Sequence, residues 1–118
     1  MKTSFLLFTL CSFYLFLFFG CGKLLKKNDP PVILSISAES SYNVLDNKIK
    51  LTCNARDSDG DSLSYSWVSP SCGTLSSTSG ETVYWSPPSS AYATCVVTCT
   101  ASDGKASTSA NKTIYVNW

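Results

Sequence analysis

The chain has 118 residues, among them six cysteines and no histidine, and its nine basic and eight acidic side chains give a net charge of +1. That length holds one domain once a targeting segment is set aside, and the near-even charge balance excludes the basic footprint of a nucleic-acid binder. With no histidine, and with Arg56 as the only arginine, the usual acid–base and nucleophile–base groupings cannot be assembled, so a catalytic role is not expected.

Much of the hydrophobic content lies in the first twenty residues. Met1 to Gly20 is an almost unbroken run of Leu, Phe and Tyr in which Lys2 is the only charge. A lysine followed by such a core has the n-region and h-region of a secretory signal. The run closes Phe18-Phe19-Gly20-Cys21, which resembles the bacterial lipobox, departing from it in having Phe18 three places before the cysteine instead of leucine. The resemblance implies cleavage before Cys21, a diacylglycerol on its sulfur (with palmitate-type chains) and an extracytoplasmic, membrane-anchored product. Two or three acyl chains anchor stably where one is marginal.

An uncleaved signal anchor competes with this reading. About seventeen apolar residues approach the lower limit for a span, and Lys23, Lys26 and Lys27 after the run would hold the remainder in the cytoplasm. The cysteines favour export. Cys11 leaves with the signal and Cys21 takes the lipid. Cys53, Cys72, Cys95 and Cys99 then remain, an even number suited to two disulfides in an oxidising compartment. The Cys95/Cys99 spacing, without histidine, is a poor zinc signature.

A tether from Cys21 to Pro31 follows, with three lysines that would lie near head groups or in solvent and a stiff Pro30-Pro31 pair that leads into an edge strand. From residue 32 to 118 the pattern is that of one all-β domain. Val32, Leu34 and Ile36 form the apolar phase of a first strand, and Asn43 to Asn47 is turn-like. Ile49, Leu51, Cys53 and Ala55 share one face of a second strand, and an acidic turn joins it to Leu63, Tyr65 and Trp67 on a third. Ser69 to Ser71 and Ser76 to Gly80 read as loops. Thr82 to Trp85 is a strand stopped by Pro87-Pro88. Cys95, Val97, Cys99 and Ala101 alternate along the next, and Ala106 to Val116 closes the domain. About seven short strands at this spacing predict an antiparallel β-sandwich.

The run Ala55-Arg56-Asp57-Ser58-Asp59-Gly60-Asp61-Ser62-Leu63-Ser64-Tyr65-Ser66-Trp67 resembles PKD-type and related bacterial Ig-like domains, which carry an Asp-X-Asp-Gly-Asp turn before Leu-X-Tyr-X-Trp. Thr98-Cys99-Thr100-Ala101-Ser102-Asp103-Gly104 is a second such mark, and Gly73-Thr74-Leu75 and Val83-Tyr84-Trp85-Ser86-Pro87 also fit. The resemblance implies a seven-stranded Greek-key sandwich with no catalytic site. It also implies a connectivity. Cys53 and Cys99 would bridge the sheets against Trp67, and Cys72 would pair with Cys95 at one end of a sheet. Of the three possible connectivities, the one joining Cys95 to Cys99 along a strand is excluded by reach.

Asp57, Asp59 and Asp61 place three carboxylates within five residues around Gly60, and Asp103 in the later turn would join as a fourth ligand. Calcium is the cofactor such oxygens suit; the other reading is a tight turn whose aspartates bond their own backbone. Tyr84, Trp85, Tyr92 and Tyr115 are candidates for a sugar- or protein-contacting face, although strand alternation sends part of any such set into the core. Two functions follow: a lipid-anchored envelope module that binds a protein or carbohydrate, or a structural envelope spacer with no specific ligand.

Overall fold

A computed structural model describes residues 26–40, 47–68, 70–89 and 92–117. The signal sequence, Cys21 and most of the expected turn at 43–47 lie outside them. The described strands are β1 (Val32–Ser40), β2 (Ile49–Arg56), β3 (Ser64–Val68), β4 (Thr74–Leu75), β5 (Thr82–Ser86), β6 (Tyr92–Ser102) and β7 (Ser107–Asn117). They pair antiparallel in two sheets, ordered β1-β2-β5-β4 and β3-β6-β7. This is the division of an Ig constant-type sandwich. No helix among the described residues is long and apolar enough to cross a membrane.

Period-two patterning builds the core. Leu51, Cys53, Val83 and Trp85 project from the first sheet, and Trp67, Cys95, Val97, Cys99, Ala101, Ile114 and Val116 from the second. Each large apolar side chain so buried contributes roughly 1.5–3 kcal/mol relative to an exposed one. Both core indoles satisfy their N–H. Trp67 Nε1 donates to the Gly80 carbonyl at 2.9 Å and Trp85 Nε1 to the Cys72 carbonyl at 3.0 Å.

β1 departs from the expected alternation. Ile33 opposes Ala55 and Ser35 opposes Asn54, so Leu34 is an extra residue with no partner on β2. This β-bulge reverses the phase of the strand. Ile36 then turns inward opposite Cys53, while Val32 and Leu34 are about half exposed, at 49% and 53%. The apolar phase expected for Val32, Leu34 and Ile36 is therefore split between two faces.

One bridge has formed and the other has not. Cys72 and Cys95 are bonded with their Cα atoms 5.4 Å apart, at the end of the second sheet where β3 runs out beside β6. The expected Cys53–Cys99 bridge is absent, and these residues face each other across the core as buried thiols in hydrogen-bond contact. Burial raises the pKa of both. The thiolate that thiol–disulfide exchange needs is thereby disfavoured. Trp67 on β3 lies directly across from Cys99, beside the pair that the resemblance implied it would pack against.

Candidate functional site

The sandwich has two chemically different poles. At one, the β2–β3 and β6–β7 turns come together. At the other, β6 begins and β7 ends. The eleven residues of β6 put about 30 Å between them at the usual rise per strand residue.

At the first pole Asp57, Asp59 and Asp61 gather as the acidic turn implied, with one carboxylate oxygen of each within 4.8 Å of the others. Gly60 supplies the positive φ, 77°. Most of these oxygens already have partners. Asp57 Oδ1 accepts the backbone N–H of Asp59 at 2.8 Å and of Asp61 at 3.1 Å, the Asx-turn arrangement. Asp59 Oδ2 accepts the N–H of Asp29, and its Oδ1 lies against the Lys26 ammonium. Lys105 Nζ sits 2.9 Å from Asp61 Oδ2. Asp57 Oδ2 is buried without a hydrogen-bond partner.

Asp103 is not a fourth member of this cluster. Its Oδ1 accepts the N–H groups of Lys105 and Ala106 at 2.7 and 2.6 Å, and its Oδ2 accepts Asn28 Nδ2 at 2.8 Å. Its carboxylate is used up in closing its own turn and fixing the incoming chain. Calcium takes six to eight oxygens. As arranged, Lys26 and Lys105 close the turn over Asp59 and Asp61, while Asp57 Oδ2 keeps no partner.

The end of the expected tether is part of this structure. Lys26, Asn28 and Asp29 contact Asp59, Asp103 and Ser58, and the Pro31 carbonyl accepts Thr108 Oγ1 at 2.6 Å. The chain thus joins the domain at the acidic pole. The electrostatics follow. The hydrogen bond and charge of Lys26 hold Asp59 below the usual carboxylate range, and Asp59 raises Lys26 in return. Backbone N–H bonds from the Ala106 turn, then Asn28, lower Asp103, and Asp61 raises Lys105.

The outward face of β3-β6-β7 carries exposed aromatic groups at the opposite pole and exposed aliphatic ones further along it. Tyr92 and Tyr115 are each 77% exposed, and Val68 and Val96 are 58% and 38% exposed. Thr94 opposes Tyr115 and Asn117 opposes Tyr92, which makes the tyrosines diagonal neighbours on adjacent strands. Tyr92, Ala93, Thr94, Tyr115, Val116 and Asn117 line a shallow depression of about 330 Å³. The other two aromatic candidates separate from this pair. Trp85 is in the core, and Tyr84 is half exposed on the other sheet. Val68 and Val96 were not foreseen, although both fall on the outward phase of strands whose inward phase was legible.

A family model described as a bacterial Ig domain matches residues 28–117. No curated protein matches the chain. The match covers most of the sequence and agrees with the observed strand order, so the chain belongs to the bacterial Ig domain family.

Proposed function

We propose that this protein is a non-catalytic binding module of the bacterial envelope, anchored by lipid on Cys21 and presenting the outward face of β3-β6-β7 to a partner. One observation carries the binding reading. Tyr92 and Tyr115 are exposed as neighbours at the pole away from where Lys26–Asp29 joins the domain, and Val96 and then Val68 continue the exposed apolar groups along the same face. Grouped apolar side chains on a small soluble domain mark contact surfaces, whereas scattered ones carry no such meaning. The sequence before residue 26 supports the anchor, since a signal-like run ends in Gly20-Cys21. The acidic turn in this reading serves attachment: Lys26 and Lys105 pair with Asp59 and Asp61, two of its three carboxylates.

A photo-crosslinking side chain placed in cells at Val96, and separately at Tyr84 on the other sheet, tests the reading. An adduct with an envelope component from Val96 but not from Tyr84 is expected. If neither position gives an adduct, the domain is a spacer and the binding reading fails.

A further inference from the structure

The outward face of β3-β6-β7 carries no lysine, arginine, aspartate or glutamate. Along β6 it presents Tyr92, Thr94, Val96, Thr98, Thr100 and Ser102, and the outward residues of β7 and β3 are likewise uncharged. The chain's charges lie elsewhere, many of them at the acidic pole. A partner that matches this face is therefore neutral. Nucleic acid, anionic polymers and lipid head groups would all call for cations that it lacks.

Hydrogen bonding divides the face in two. Toward the acidic pole its polar groups bond across the strands. Thr98 Oγ1 donates to Asn111 Oδ1 at 2.8 Å, and the Thr100 and Ser109 hydroxyls are 2.7 Å apart. Beside the tyrosines, among the described residues, the side chains of Thr94, Thr113 and Asn117 have no such partner. Among the described residues, donors and acceptors thus stand without a side-chain partner next to two exposed rings.

The two tyrosines are near neighbours on the face. As diagonal neighbours across an antiparallel pair, Tyr92 and Tyr115 are about 7–8 Å apart at the backbone. An aromatic face carries a negative quadrupole that attracts weakly positive C–H groups, and Tyr offers this area with few rotatable bonds. The axial C–H face of a pyranose ring supplies such groups, and its equatorial hydroxyls reach outward to side-chain donors and acceptors. An uncharged strip with two tyrosine platforms flanked by hydroxyl and amide groups suits that ligand.

We propose that Tyr92 and Tyr115, with Thr94, Thr113 and Asn117, form a binding site for a neutral polysaccharide strand. This rests on the binding-module reading and names its partner class.

Sedimentation of the full chain in nonionic detergent with insoluble chitin and with cellulose tests the proposal, with anionic pectate as the comparator. Retention on at least one neutral polymer, unchanged by added salt, is expected. Tyr92→Ala and Tyr115→Ala should each weaken it by about threefold to tenfold, while Tyr84→Ala, on the other sheet, should leave it intact. Both tyrosines are solvent-exposed, and equal thermal midpoints would show that the variants fold. Absence of retention on both neutral polymers would overturn the proposal. So would retention on pectate alone, or retention indifferent to both alanine changes. If Val96 still gives its envelope adduct in cells while neutral polymers fail, the glycan site falls and the binding module stands.

Discussion

Gly73 shows how closely single residues fix this fold. Its φ is +76°, and a Cβ there would fall on the Ser86 carbonyl and the Trp85 indole, the same indole that donates to the Cys72 carbonyl next door. Gly73→Ala meets both a backbone and a packing obstacle and should cost on the order of 2–4 kcal/mol, read as a lowered urea midpoint. An unchanged midpoint would mean that the Trp85 pocket is looser than described. Charged residues predict a pH profile. Asp59 and Asp103 have folded pKa values below their ordinary 3.8, so their stabilisation is complete above that value and is lost as pH falls below it. Lys26 and Lys105 have folded values above 10.5; theirs is present below that value and is lost as pH rises beyond it. Thermal midpoints should thus fall at both extremes, and Asp103→Asn should flatten the acid limb. An acid limb that Asp103→Asn leaves unchanged would remove Asp103 from the account.

At the scale of elements, the β2–β3 turn and the incoming chain act as a unit. Because Lys26 and Lys105 already pair with Asp59 and Asp61, millimolar calcium should leave the melting midpoint of the domain unmoved. A rise of several degrees would show that calcium displaces the lysines. The facing strands β2 and β6 make a separate prediction. Cys53 and Cys99 are buried thiols, and Cys72–Cys95 is bonded. Alkylation without reductant should therefore modify neither core thiol in the folded domain and both in denaturant; modification of neither in denaturant would show the second bridge to be present. Much of this level was legible in the sequence. Alternation located β2, β3, β5 and β6, and the family resemblance put Trp67 beside Cys99. Two features were not. The bulge at Leu34 is set by what β1 must oppose on β2, and the strand's own pattern carries no sign of it. The docking of Lys26–Asp29 joins residues far apart in sequence, where composition suggested only a solvated linker.

At the scale of the whole molecule, the account is one of polarity. The chain joins the sandwich at the acidic end and exposes an uncharged tyrosine-bearing face at the other. Two of the four edge strands carry features that discourage pairing with other chains, the bulge on β1 and Lys112 on the inward phase of β7. The sequence revealed the fold through its acidic turn and tryptophan. The face lay hidden in it because strand alternation favours the core for part of any aromatic set, and only the pairing register shows which side chains stay outside. Anchorage decides whether this polarity has a biological direction. Metabolic labelling with an alkyne palmitate analogue in the native bacterium measures it most directly. The wild-type chain should carry label and Cys21→Ala should carry none; label that survives Cys21→Ala, or a wild-type chain without label, would contradict a lipid anchor at Cys21.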